Sequence, residues 1–247
     1  MKGLKDQVAI VTGGLGDLGY ASVKRLVEEG CRVAIFDLAS DGVRAKEIGC
    51  FFRALDIREE DQLATAFGDV RQQLGLATIL VNAAAAFIFK GVEATPSDWN
   101  TITSVNLLGT SLVTRQAVEH MKLAGQGSVI NFSSVSGFVG QPNFATYNAT
   151  KFALRGLAKC WAQDLAPFNI RVNTVCPGYI YTSAFIQACA ALGLDLEEEN
   201  RRASAMHMLG RQGRPEEVAA AVAFLASNES SFMTGSDLVV DGGYLAK

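Results

Sequence analysis

The sequence predicts an α/β protein with a doubly wound, mostly parallel sheet of about seven strands covered by helices on both faces. Three observations predict it. Short β-branched apolar runs alternate with longer helical patterns along all 247 residues. The first run leads into a glycine-rich turn that opens a helix. Hydrophobic residues make up 49% of the chain, enough for a sizeable core. The length suits one domain spanning 1–247.

Strands are expected at 8–12, 32–37, 50–55, 78–82, 128–132, 170–176 and 237–240. Helix-length segments lie between them. The segment 20–29 follows the glycine-rich turn, and 59–74 opens with acidic residues, as the helix dipole favours. Pro96 starts 96–122 at a first-turn position, and 145–166 and 215–227 complete the set. Right-handed crossovers then favour a doubly wound sheet. The segment 183–210 stands outside the alternation. It contains Ala190-Ala191-Leu192-Gly193-Leu194 and then Glu197-Glu198-Glu199-Asn200-Arg201-Arg202. It reads as a helical insertion with one charged face, placed to act as a lid.

Lys and Arg number 22 against 25 Asp and Glu, a net charge of −3. That balance gives no support to a nucleic acid or an anionic membrane as partner. No apolar run approaches the roughly 18 residues of a membrane span. Met1–Asp6 leads straight into a strand-like run, an arrangement expected to leave no room for a signal peptide. The five cysteines form no C-x-x-C pair and read as buried, reduced thiols of a cytoplasmic protein. The two histidines are far apart, so no metal site is expected.

Gly14, Gly16 and Gly19 form G-x-G-x-x-G between a strand and a helix. Glycine lets the backbone turn tightly and approach a pyrophosphate seated on the helix N-terminus, as in Rossmann-type dinucleotide sites. Gly13, Gly16, Asp17, Leu18 and Gly19 are therefore candidate cofactor contacts. Asp37 ends the second strand, 18 residues past Gly19, where a carboxylate binds ribose hydroxyls. It repels a 2′-phosphate and so favours NAD(H) over NADP(H). Leu38 follows it, and no Arg in that loop supplies a phosphate-binding cation.

Further motifs follow in order. They are Asp56-Ile57, Asn82-Ala83-Ala84-Ala85, Asn106 within 99–107, Ser134, and Tyr147-Asn148-Ala149-Thr150-Lys151. Then come Pro177-Gly178-Tyr179-Ile180-Tyr181-Thr182, Gly213-Arg214-Pro215 and Asp241-Gly242-Gly243. Across nearly the whole chain this set resembles the short-chain dehydrogenase/reductase family. The Y-x-x-x-K pattern alone is weak, because Tyr20-Ala21-Ser22-Val23-Lys24 fits it too. Only Tyr147 has a serine 13 residues before it and a Pro-Gly turn after it. The resemblance implies that Asp56 and Ile57 hold the adenine ring and that Asn82, Ala83 and Ala84 line the cofactor. It also implies that Pro177, Gly178, Ile180 and Thr182 surround the nicotinamide.

Two departures stand out. The family usually has glycine where Asp17 stands, and the T-G-x-x-G-x-x-G spacing is similar to that of its longer members. Asp17 is expected to turn away from the phosphates and cap the following helix. Ala83 and Ala85 replace the usual Asn and Gly, which removes polar support near the cofactor without removing a catalytic group.

Hydride transfer from an alcohol needs a base for the hydroxyl proton. A free tyrosine is a poor base at neutral pH, but a nearby cation lowers its pKa. Lys151 is one helical turn from Tyr147, so both project to one face. Tyr147 is the candidate general acid/base, and Ser134 the hydrogen-bond donor to the substrate oxygen. By resemblance, Lys151 also holds the nicotinamide ribose, and Asn106 positions a water for proton relay. The segments 85–89, 135–144 and 183–210 around the substrate are largely apolar, with Gln141, Asn143, Tyr179 and Gln187 as polar exceptions. A neutral secondary alcohol or ketone, cyclic or sugar-derived, is the expected small-molecule substrate. Two alternatives remain open: a 3-oxoacyl-type ketoreductase, and a non-catalytic NAD-binding scaffold. The resemblance further implies a homotetramer, or else a homodimer.

Overall fold

The computed structural model describes residues 1–191 and 193–247. Seven parallel strands form one sheet in the order β3-β2-β1-β4-β5-β6-β7. They are β1 Val8–Thr12, β2 Arg32–Asp37, β3 Phe51–Ala54, β4 Ala77–Asn82, β5 Gly127–Phe132, β6 Ile170–Pro177 and β7 Asp237–Val240. The helices are α1 Asp17–Glu28, α2 Val43–Glu47, α3 Glu60–Gln73, α4 Pro96–Thr103, α5 Thr110–Ala124, α6 Ala145–Leu165, α7 Ser183–Ala191, α8 Leu196–Ala205 and α9 Pro215–Ala226.

The strands read as continuous apolar runs because both faces of the sheet are covered. Their side chains alternate between two cores. Val8 and Ile10 pack with Phe67 of α3 and Val113 and Met121 of α5, whereas Ala9 and Val11 pack with Val23 of α1 and Val222 of α9. Chain order reverses at β1 and β4. The crevice outside their carboxyl ends is where an open α/β sheet binds ligands.

Expected and observed elements differ in three places. The segment 96–122 is not one helix. Thr95 caps α4 in a reciprocal capping box with Asp98, and a π-helical stretch, Ser104–Gly109, then separates α4 from α5. The short helix α2 has too little length for a periodic pattern to show. The lid segment forms two helices, α7 and α8, with Asp195 capping the second through the Glu198 N–H at 2.8 Å. The Ala190–Leu194 part of the lid expectation includes Leu192, which lies outside the described residues.

Four cysteines are buried, but Cys160 on α6 is exposed, contrary to the expectation for all five. Among the described residues, no helix is long and apolar enough to cross a membrane.

Candidate active site

Tyr147 and Lys151 lie in the first two turns of α6. Their one-turn spacing puts both on the face toward the end of β5. Lys151 is 4% exposed, and its Nζ donates to the Phe132 carbonyl at 2.7 Å. It lies 5.3 Å from the centre of the Tyr147 ring. Burial lowers the Lys151 pKa to about 8. Burial pushes the Tyr147 phenol up, and a hydrogen bond with Ser134 opposes that shift. Ser134 begins a single turn, Val135–Gly137, where its Oγ accepts from the Ser136 N–H at 3.1 Å. Arg155 of α6 secures this turn by donating to the Gly137 carbonyl and pairing with Asp237 of β7 at 3.0 Å.

Asn106 sits in the π-helical stretch and is 1% exposed. Its Oδ1 accepts from Ala86 N at 2.7 Å, and its Nδ2 donates to Ala86 O and Thr150 Oγ1, each at 3.1 Å. The side chain thus clips the segment after β4 to α6. Both amide hydrogens are used, which leaves one acceptor position free.

Three aromatic rings surround Tyr147. Phe87 stacks on it at 5.7 Å and 24°, Phe89 meets it edge-on at 5.3 Å, and Phe144 lies at 6.4 Å. Phe87 and Phe89 are 62% and 45% exposed, so they line a surface opening and do not belong to the core. Beyond them is a polar group. Gln141 accepts from Ser136 Oγ at 2.6 Å and donates to the Tyr179 and Tyr244 hydroxyls, each at 3.4 Å. His207, at the end of the lid, donates from Nδ1 to Ala203 O at 2.8 Å, because its Nε2 accepts from Tyr179 N at 3.2 Å. A Cβ at Gly178 would stand 2.8 Å from that Nε2. The sequence reading gave no role to His207 or Tyr244. Their partners are far away in sequence, and neither residue lies in a motif.

The glycine turn approaches β4 closely. Gly13 has φ +62°, and a Cβ there would lie 2.7 Å from the Ala84 Cα. A Cβ at Gly19 would lie 2.1 Å from the Gly13 carbonyl oxygen. Thr12 Oγ1 accepts from Ala84 N at 3.3 Å. The turn and the Asn82–Ala85 stretch thus lie side by side. Asn82 itself turns inward to Thr114 Oγ1 and Asn131 Oδ1, at 3.1 and 2.9 Å.

Asp37 accepts from Leu15 N at 2.9 Å and from Ala39 N at 3.1 Å, while Leu38 is 72% exposed. The expectation that no cation accompanies Asp37 needs correction. Arg44 of α2 donates to Leu15 O at 3.0 Å and stacks 3.8 Å over the Tyr20 ring. It comes from the next helix, α2, and so lies outside the loop that follows Asp37.

Asp56 is gripped by Arg58, whose hydrogen bonds hold its pKa below the ordinary carboxylate value. Ile57 packs into the core, where a Cβ at Gly109 would meet it at 2.7 Å. Pro177 ends β6, and Ile180 bridges to Gly213. Thr182 Oγ1 accepts from Phe185 N at 3.2 Å at the start of α7. Asp17 does not cap α1, which has no side-chain cap. Its carboxylate instead reaches Ser183 and Ala184 of the lid, because the turn at the end of β1 and the segment after β6 open on the same edge of the sheet.

A dinucleotide suits these residues. Lys151 has three donors and spends one on Phe132, leaving two to spare for ribose hydroxyls. The glycine turn lets backbone come close, and Asp37 offers carboxylate acceptors at the other end. The fold and the glycine turn together are those of a Rossmann-type dinucleotide-binding protein.

The comparisons agree. A family model described as enoyl-(acyl carrier protein) reductase matches residues 15–245. Cyclopentanol dehydrogenase of Comamonas sp. (strain NCIMB 9872) is 37% identical over 251 residues, covering 98% of each chain. NADP-dependent (R)-specific alcohol dehydrogenase of Lentilactobacillus kefiri is 40% identical over 256 residues, covering 99% of this chain and 98% of its own. The structure of Thermoplasma acidophilum aldohexose dehydrogenase superposes with a TM-score of 0.92 at 33% identity, covering 99% of this chain and 96% of that one. The chain belongs to the short-chain dehydrogenase/reductase family.

Proposed function

We propose that this protein interconverts a neutral secondary alcohol and its ketone by hydride transfer with NAD(H), using Tyr147 as general acid/base. The observation that carries this reading is Tyr147 set between Lys151 and Ser134 inside a half-open aromatic enclosure. Hydride acceptance and return would be the chemistry supplied by a bound nicotinamide. Tyr147 Oη takes the proton of the alcohol hydroxyl in oxidation and returns it in reduction. Lys151, largely cationic below pH about 8, stabilises the phenolate and holds the ribose. Ser134 hydrogen-bonds the substrate oxygen and steadies the developing carbonyl. Asn106 braces the wall after β4 and leaves one acceptor position for a water.

Phe87, Phe89 and Phe144 favour an apolar, cyclic carbon frame. Gln141, Tyr179 and Tyr244 provide hydrogen bonds for a polar substituent on it. Relatives named for cyclopentanol and for aldohexose span that range. Asp37 favours NAD(H) by repelling a 2′-phosphate, and Arg44, held beside it on Leu15 and Tyr20, offsets part of that repulsion. Exposed Leu108, Phe152 and Phe168 on the long helical layer suit the interfaces of a homotetramer, and sedimentation measures that assembly. The chain folds as one domain and works in the cytoplasm on this reading.

The test is fluorescence titration with NADH and NADPH, followed by turnover of a panel of cyclic and open-chain secondary alcohols and ketones. Tighter NADH binding with turnover of a neutral member supports the reading. Clear NADPH preference overturns the role of Asp37. Turnover confined to carboxylates overturns the substrate class. Binding without any turnover favours the scaffold.

A further inference from the structure

The carboxylate of Asp17 joins the glycine turn to the lid. One oxygen accepts from Ser183 Oγ at 2.7 Å, Ser183 N at 2.9 Å and Ala184 N at 3.4 Å. These contacts connect positions 166 and 167 residues apart in sequence. A carboxylate at a helix N-terminus meets both free N–H groups and the positive end of the helix dipole. A glycine at position 17 makes none of these contacts. The other end of the lid is anchored separately, by His207 on the Pro-Gly turn.

We propose that Asp17 is a positioning residue that seats the first turn of the lid on the cofactor loop, ordering the substrate side of the cleft before substrate arrives. Thr182, the last residue of the Pro-Gly motif, immediately precedes the contact, and its Oγ1 accepts from Phe185 N in the same turn. The three donors draw the negative charge toward α7, so the acid sits in a phosphate-binding turn without facing it. A lid already ordered costs less conformational entropy when substrate binds. The effect therefore falls on substrate KM more than on kcat.

The test is hydrogen exchange, read by mass spectrometry on peptides across 179–187 of the free protein. Wild type is compared with Asp17→Ala, Asp17→Asn and Ser183→Ala. Loss of a charge-assisted set of bonds in Asp17→Ala is expected to speed exchange at 183 and 184 about tenfold. Asp17→Asn keeps an acceptor without the charge and falls between. Ser183→Ala removes one of the three bonds and gives about a threefold rise. In turnover, Asp17→Ala is expected to raise substrate KM about tenfold while kcat and the NADH dissociation constant change less than about threefold. Unchanged exchange in Asp17→Ala overturns the proposal. So does NADH binding tightened about tenfold with KM unchanged, which would place the carboxylate against the phosphates. If Asp17→Ala does not fold, the Asn and Ser183 variants decide by the same exchange measurement. The KM arm rests on the proposed alcohol chemistry. The exchange arm does not, so a wild type that turns over nothing sinks that chemistry and leaves this contact to be judged alone.

Discussion

The two ends of the cleft are built by opposite means. At the Tyr147 end, the polar side chains are buried and bonded on several sides, to backbone as well as to other side chains. Lys151 and Asn106 are almost fully enclosed, and the Ser134 turn is tied down by Arg155. At the Asp37 end, half-buried and exposed groups meet backbone. Asp37 and Arg44 both bond the Leu15 residue, and Leu38 projects into water. A buried constellation depends on fixed geometry and tolerates little change. A more exposed one can be altered cheaply, and the proposed cofactor choice is placed there.

The largest effect is expected at the buried end. Tyr147→Phe should lower kcat by about 10²–10⁴-fold, the range of a positioned acid/base, while NADH binding by fluorescence stays within a few-fold. Equal losses in both would break the contrast, because Tyr147 would then be acting through the fold. Next is Lys151→Met, expected to cost about a hundredfold in kcat and to remove the limb of the pH–rate profile near 8.

The same substitution sharpens the comparison through stability. The Lys151 pKa is about 8 in the folded protein against 10.5 for the ordinary side chain. Between those values the unfolded chain holds the proton more than the folded one, so wild-type stability rises with pH across that window. Lys151→Met should therefore be more stable than wild type at pH 7, with the gap in urea midpoint closing as pH rises from about 8 to 10.5. A gap constant with pH would show that the ammonium is not strained by burial.

Smaller effects are expected at the exposed end. Asp37→Ala should shift the NADH:NADPH preference about tenfold toward NADPH, and Arg44→Ala should move it back by a lesser factor. Neither should change the melting temperature appreciably, since both groups are near the surface. If Arg44→Ala leaves the ratio untouched, its work is confined to holding Tyr20 and the glycine turn.

The same division governs what the sequence disclosed. Strands were legible because both faces are covered, so runs such as Val8–Thr12 and Arg32–Asp37 declare themselves without alternation. The family resemblance holds, and the placement of Tyr147 and Lys151 on one helix face is legible because their spacing lies within one helix. Contacts made by the fold across long separations were not. Arg44 rides on a five-residue helix, and Asp17 finds its partner in the lid. His207 and Tyr244 meet Tyr179 only after β6 and β7 pair. The break at Ser104–Gly109 was also hidden, because composition does not distinguish an i→i+5 turn from an i→i+4 one.

That stretch has a further consequence. A π-helical turn holds one residue more than the regular helix around it. Deleting a single residue between 104 and 109 would allow an unbroken helix from Pro96 to Ala124. Because the wide turn absorbs that extra residue, α4 and α5 would keep their faces, and the local backbone that aims Asn106 is what would change. Asn106 would then lose Ala86 and Thr150. Evolution has here a one-codon route to a smoother helix that leads away from a working site. Selection for thermostability alone, with no demand for turnover, is the condition under which that route would be taken.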